Sequence, residues 1–324
     1  MAVEAVVLAG DRSAARLVYG TNKAFLRLRG KPLVSYVLSA LDKSREVRSI
    51  HIVGPGDRLK ELLAEYKYEK PTNYVEQKEN VLKNIWHGAL STFPEYVRGA
   101  DLAELKSLPE AEKVILATTC DTPLLEPKEI DHFIQNAPMN DFDFVFGITR
   151  KEMLLPFATQ GGQPGIDFAY FVFKDIIFRH ANFFLIRPLR LGYMMDEFIP
   201  LVYSLRYQKQ WGNILKAFSA ILKHNAGAKA VYYYTVLQLG RSLDMKGWKR
   251  TRDIIRKGAT LPGILKTARP ILQTRFGAFE TIGPGPCIDT DNETDLSIAD
   301  KMFERWKEIQ AQMLQGKYPL PQDI

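Results

Sequence analysis

The sequence predicts an α/β protein: a three-layer, mostly parallel sheet, then a mainly helical segment and a closing helix. Three observations predict it. Over the first 150 residues short β-branched runs alternate with amphipathic stretches, the pattern of βαβ units with helices on both sheet faces. From about Ala169 strand signals thin out, and aromatic, basic, helix-compatible segments take over. Near the end, the rigid turn Gly283-Pro-Gly-Pro286 returns the chain to a last apolar pair and a long amphipathic run.

Each element follows from its pattern. Strands are expected at Ala5–Leu8, Ser49–Val53, Asn73–Val75, Lys113–Thr118 and Phe142–Gly147. Helical periodicity places helices at Leu33–Leu41, Leu59–Tyr66, Val81–Leu90 and Pro127–Gln135 between them. Further helices are expected at Met194–Tyr207, Ile214–Lys223, Val231–Leu239 and Trp248–Lys257. Cys287–Ile288 reads as a short strand and Thr294–Gln312 as the closing helix. The expected division is a core at 1–168, a basic helical insert at 169–280 and a return to the core at 281–324.

Composition narrows the function classes. At 46% hydrophobic and 25% charged residues the chain has the composition of a soluble globular protein. No apolar run approaches the roughly 20 residues that span a bilayer. Met1-Ala-Val-Glu carries an acid where a signal peptide carries bases, so a cytoplasmic location is expected. Two cysteines, Cys120 and Cys287, fit buried thiols and form neither a CxxC pair nor a zinc spacing. The histidines (His51, His87, His132, His180, His224) show no ligand spacing either. The net charge of +7 is uneven: residues 151–280 hold 20 Lys/Arg against 8 Asp/Glu. Such a basic middle suits an anionic partner.

In open α/β sheets ligands bind where strands end, so post-strand residues carry the functional reading. The first candidate site is Leu8-Ala9-Gly10-Asp11 with Ser13, Arg16 and Lys23. A glycine there lets backbone N–H groups approach phosphate oxygens, while Arg16 and Lys23 neutralise triphosphate charge. The same glycine also suits a plain strand-to-helix turn. The second is Asp121, between an apolar strand and Pro123. A hard carboxylate in the crevice suits Mg²⁺, and an Asp there equally caps a helix. The third is the acidic run Asp289-Thr-Asp291-Asn-Glu-Thr-Asp295-Leu296. Gln77 and Asn80 follow a strand too, where amides suit either the edge of a nucleobase or a helix cap.

Leu8–Val34 resembles the opening signature of the MobA-like nucleotidyltransferases, relatives of the sugar-phosphate nucleotidyltransferases. That pattern runs Leu-Ala-Gly-Gly, a Ser or Thr, an Arg, a Lys, then Gly-Lys-Pro-Leu, here Gly30-Lys-Pro-Leu33. Asp11 departs from it at the second glycine, and Arg16 sits one residue later than the shortest family spacing. Asp121-Thr-Pro-Leu resembles the family's Asp-x-Pro-Leu, and the run from Asp289 resembles its closing Asp-Ile-Asp-Thr-Pro-Glu-Asp-Leu. The resemblance implies a Rossmann-like, GT-A-like fold and a Mg²⁺-dependent enzyme. It would move a nucleoside monophosphate from an NTP to a phosphorylated small acceptor and release pyrophosphate. Asp121 and Asp291 would be the metal carboxylates, with Asp289 behind them and Asp295 capping the last helix. An acceptor phosphate is already ionised, so positioning and charge neutralisation suffice without a dedicated base.

Acceptor choice is expected in the basic segment. Asn182, Arg187 and Arg190 suit a loop that clamps phosphate, and equally a packed segment with snorkelling arginines. Arg241–Arg275 carries ten bases against Asp244 and Asp253, interleaved with Trp248, Ile254, Ile255 and Leu261. A membrane-surface face, a solvated helical face and an oligomer contact all fit that pattern. No nucleic-acid module is recognised. Two rival functions remain: a nucleotide-sugar-dependent glycosyltransferase of related fold, and a non-catalytic nucleotide sensor. The base, the acceptor and the oligomeric state are not legible.

Overall fold

The computed structural model describes residues 2–10, 17–79, 81–191 and 225–320. Its strands are β1 (Val3–Leu8), β2 (Arg27–Leu28), β3 (Lys31–Pro32), β4 (Val47–Gly54), β5 (Thr72–Glu76), β6 (Ile115–Thr119), β7 (Phe144–Arg150), β8 (Phe171–Val172), β9 (Ile177–Ile186) and β10 (Phe276–Glu280). Among the described residues one eight-stranded sheet runs β10-β7-β9-β6-β1-β4-β5, with β8 paired to β9. β1 pairs in parallel with β4 and β6, β4 with β5, and β10 with β7. β9 runs antiparallel between β6 and β7.

β1 shows why the sheet must be covered on both faces. Its residues alternate sides. Val3, Ala5 and Val7 pack with Val34, Val37, Leu38 and Leu41 of the helix Leu33–Lys43 and with Ile130 and Phe133 of the helix Pro127–Asn136. Val6 packs on the other side with Val53, Ala89 and Leu272. Each fully buried Val or Leu contributes about 1.5–3 kcal/mol gross, so this layering fixes the face each β1 side chain meets, while the parallel pairing brings the carboxyl ends of β1, β4, β5 and β6 to one end of the sheet. The helices Val81–Leu90 and Pro127–Asn136 lie where periodicity placed them. The closing helix runs Glu293–Leu314.

Several elements differ from expectation: β8 and β10 are strands in the stretch expected to be helical, and the helix expected at Leu59–Tyr66 runs Gly56–Leu62. Ile177–Ile186 lies in a stretch expected to be mainly helical, yet it is a ten-residue strand in the middle of the sheet. Arg179, His180 and Asn182 interrupt its apolar pattern, which hid the period of two. Cys287–Ile288, expected as a strand, belongs to a 3₁₀ turn over Gly285–Cys287 and the residue that caps it. Pro284 and Pro286 have no N–H to give to a ladder. The described helices Gly227–Met245, Lys249–Ile255 and Leu261–Leu272 supply the helical part of the basic segment. Met194–Tyr207 and Ile214–Lys223 lie outside the described residues.

Candidate active site

Three chain segments meet at the carboxyl end of the sheet: the residues after β1, the residues after β6, and the loop before the closing helix. Their meeting is built from buried polar contacts. Glu129 is buried and accepts the N–H groups of Glu126 and Gly285 at 2.9 Å each and Gln310 Nε2 at 3.0 Å. Gln310, on the closing helix, also donates to the Leu124 carbonyl at 2.7 Å. One carboxyl and one amide therefore tie the Asp121 loop, the proline turn and the last helix together. A Cβ on Gly285 would come within 2.2 Å of Glu129 Oε2, so only glycine fits that approach. Thr290 N–H donates to the Asp121 carbonyl at 3.2 Å, locking the two acidic loops side by side.

Lys23 is delivered to the same place by a short hairpin. Val18 and Thr21 exchange backbone hydrogen bonds around Tyr19 (φ 48°) and Gly20 (φ 70°), a tight turn with both central residues left-handed. The Tyr19 N–H donates to Glu293 Oε1 at 3.0 Å, and the next hairpin's Arg29 N–H donates to Asp300 Oδ1 at 2.9 Å. Both turns thus rest on the closing helix. Asn22 then accepts from Ala24 N–H at 2.9 Å and donates to the Gly10 carbonyl at 2.7 Å. This fixes the start of the 3₁₀ turn Lys23–Phe25 against the end of β1.

The result is a compact charge cluster. Lys23 Nζ lies 2.7 Å from Asp121 Oδ2 and 2.5 Å from Asp291 Oδ1. Arg179, on β9, reaches Asp289 Oδ1 at 2.8 Å. Carboxylate oxygens of Asp121, Asp289 and Asp291 lie within 4.8 Å of one another. Burial alone would lower the Lys23 ammonium, but Asp121 and Asp291 outweigh it and hold the group above the ordinary lysine value. Burial pushes the Asp289 carboxyl up, with Asp121 and Asp291 adding to the push and Arg179 opposing it.

These residues fit a hard divalent cation. Asp121 Oδ1 is buried and has no hydrogen-bond partner, a costly condition for an ionised oxygen. The donors are all carboxylate oxygens, the set preferred by Mg²⁺, Ca²⁺ or Mn²⁺ over softer metals. Three acids face two bases, so the cluster has charge to spare for a cation.

Of the residues expected from sequence, the structure brings Lys23, Asp121 and Asp291 together. It sets Leu8, Ala9 and Gly10 at the end of β1, with Gln77 buried beside Gly10. Asp295 accepts from the Asp291 N–H at 3.2 Å, and its own N–H donates to Asn292 at 2.9 Å, orienting the start of the closing helix. Asp11, Ser13, Arg16 and Asn80 lie outside the described residues. Arg187 and Arg190 require correction. β9 runs against β6, so its carboxyl end falls at the opposite end of the sheet from Asp121. There Arg187 donates to the carbonyls of Met139 and Phe142 at 2.5 and 2.7 Å, and Arg190 pairs with Glu112. Neither reaches the acidic cluster. Asn182 is half-buried within β9.

The family follows from the same residues. The profile described as MobA-like NTP transferase domain matches residues 5–232, the span that contains the Lys23 hairpin and Asp121. The chain belongs to the MobA-like NTP transferase family. It is a nucleotidyltransferase of that family. A hypothetical transferase from Thermus thermophilus shares the fold at a TM-score of 0.60 and 19% identity, covering 91% of this chain and 100% of that one. Weaker likenesses reach a TM-score of 0.46 at 11% identity. One is 4-diphosphocytidyl-2C-methyl-D-erythritol synthase from Anaerococcus prevotii, covering 94% of this chain and 96% of that one. The other is CMP:2-keto-3-deoxy-manno-octonic acid synthetase complexed with CTP, covering 93% and 99%. No curated protein matches the chain.

Several positioning residues escaped the sequence reading. Arg179 was hidden because its strand was not recognised. Asn22 had a visible signal, an Asx residue immediately before the key lysine. Asn84 sits where a Cβ on Gly10 would meet its Nδ2 at 2.6 Å, and its Oδ1 accepts the Lys78 N–H at 2.5 Å. Helix periodicity alone does not single it out.

Proposed function

We propose that this member of the family transfers a nucleoside monophosphate from an NTP to a phosphorylated small-molecule acceptor, with Mg²⁺ and release of pyrophosphate. The single observation that carries the reading is Lys23 between Asp121 and Asp291, residues 98 and 268 positions away in sequence. Asp121 and Asp291 would hold the ion, which when bound supplies charge neutralisation at the α-phosphate. Arg179 holds Asp289 in place beside that pair. Lys23, together with Arg16, binds the triphosphate and stabilises charge growing on the departing pyrophosphate. Gly10 would bring backbone close to the phosphates, Asp11 and Ser13 are assigned to the same nucleotide site, and Gln77 and Asn80 are assigned to the base. The acceptor's own phosphate oxygen attacks in line, and the acceptor lies on the side of the basic segment.

Two free, buried cysteines support a reducing, cytoplasmic setting. No helix among the described residues is long and apolar enough to cross a membrane.

The test is a pyrophosphate-release assay with each NTP and a panel of phosphorylated sugars, polyols and amino alcohols. The expected result is release that needs both an NTP and one acceptor class, and that Lys23→Ala abolishes. Turnover only with nucleoside diphosphate sugars would instead make it a glycosyltransferase. NTP binding without turnover on any acceptor would make it a sensor.

A further inference from the structure

Outside the acidic cluster, the turn joining the helices Gly227–Met245 and Lys249–Ile255 stands apart in its chemistry. It is a fixed turn. Gly247 is left-handed (φ 71°), and the N–H groups of Gly247 and Trp248 close the first helix on Asp244 and Leu243 at 3.0 Å each. Three large apolar side chains stand exposed within ten residues of one another: Met245 at 70%, Trp248 at 60% and Ile254 at 67%. Burying such side chains inside the fold would have been favourable, so their exposure along one helix–turn–helix segment, which also exposes Leu239, marks a surface that meets something apolar.

The exposed charged residues between 245 and 257 are all basic. The segment's two acids are both engaged internally. Asp244 takes Arg252 Nη1 at 2.6 Å and lies 3.7 Å from Lys151 Nζ, and Asp253 takes Arg252 Nη2 at 2.9 Å and Arg256 Nε at 3.1 Å. Arg252 is itself only 2% exposed. Lys246, Lys249, Arg250 and Lys257 are left exposed along the same segment. Lys246 lies over the Trp248 ring at 5.9 Å. A tryptophan and aliphatic side chains ringed by lysines form an interfacial pattern: the apolar groups enter the acyl boundary and the ammonium groups stay with anionic headgroups.

We infer that this tip docks the protein on an anionic lipid bilayer. A nucleic acid would satisfy the bases and leave Met245 and Ile254 without a role, so the bilayer is favoured. Lys151, which Asp244 approaches, immediately follows β7. The tip therefore lies at the carboxyl end of the sheet, the end that carries Asp121. Docking turns that end of the molecule toward the headgroup layer. The inference goes beyond the catalytic reading and stands if that reading fails.

Co-sedimentation of the full chain with phosphatidylcholine vesicles, with and without about one-third phosphatidylglycerol, tests it. The expected result is binding to the anionic vesicles at low ionic strength, little to the neutral ones, and release by high salt. Each base removed near the surface should weaken partitioning about fivefold, so Lys246→Gln with Lys249→Gln should cost about 25-fold. Trp248→Ala should lose at least about tenfold. Lys301→Gln, an exposed base on the closing helix, should change little, and all variants should keep the wild-type melting temperature. The inference is overturned by no sedimentation at low salt or by equal binding to neutral vesicles. Tip variants that bind like the wild type, or retention of duplex DNA without retention of vesicles, overturn it as well.

Discussion

Lys23→Met keeps the length and the apolar stem of the side chain and removes its charge. In the wild type the ammonium touches two carboxylates, at 2.7 and 2.5 Å. At an effective dielectric near 20, each such contact is worth at most about 6–7 kcal/mol before desolvation is subtracted. Removing one partner of a buried pair costs about 3–5 kcal/mol, because the remaining charge stays buried. Here Asp121 is 9% exposed but Asp291 is 43% exposed. The second contact is therefore largely screened, and the net loss should be about 2–3 kcal/mol. For a chain this long that corresponds to a fall of roughly 3–5 °C in melting temperature. The loss should appear in the presence of a chelator and shrink as Mg²⁺ is added, since the unpaired acids then have a cation to hold. Differential scanning calorimetry with EDTA or with millimolar Mg²⁺ reads both arms. In the pyrophosphate assay the same variant should lose about 10²–10³-fold in kcat. An unchanged melting temperature in EDTA, or a loss that Mg²⁺ does not reduce, would mean that Lys23 does not offset the charge of the Asp121–Asp291 pair.

Two further perturbations follow from the geometry. Gly10→Ala places a Cβ within 2.6 Å of Asn84 Nδ2 and 3.2 Å of Gln77 Oε1. NTP affinity by calorimetry should fall about tenfold with little change in melting temperature, and unaltered affinity would count against Gly10 as part of the nucleotide site. His180 is stacked on Phe146 with ring centroids 5.2 Å apart, and burial with Arg179 beside it holds the imidazole down at about 4. The folded state therefore releases a proton that the unfolded chain binds near 6.5, so this stability is complete above the unfolded value and is lost as pH falls toward 4. Urea unfolding of His180→Phe should lack about 2 kcal/mol of the wild-type loss between neutral and acid pH; parallel pH profiles would contradict the assignment.

The parts of this molecule that the sequence exposes are those whose chemistry and position coincide. β1 reads as a strand because both its faces are buried, leaving a run of valines and alanines. Lys23, Asp121 and Asp291 stand out because each follows a strand or turn in a recognisable spacing. β9 failed that test. Its first half carries Arg179 and His180 at the end of the sheet where the acids gather, so function overwrote the strand pattern. Arg187 misled for the complementary reason. A guanidinium that satisfies the Met139 and Phe142 carbonyls looks, in one dimension, the same as one waiting for a phosphate. Glu129 was invisible as a site builder, since its partners at Gly285 and Gln310 come from distant segments.

Asp121 and Asp291 should together hold one divalent cation beside Lys23. Titrating Mn²⁺ into the protein with a non-hydrolysable NTP, followed by electron paramagnetic resonance, measures this directly. Tight uptake that Asp121→Asn and Asp291→Asn each weaken by about tenfold or more is the predicted result. Wild-type uptake by either variant, with its fold intact by circular dichroism, would contradict it.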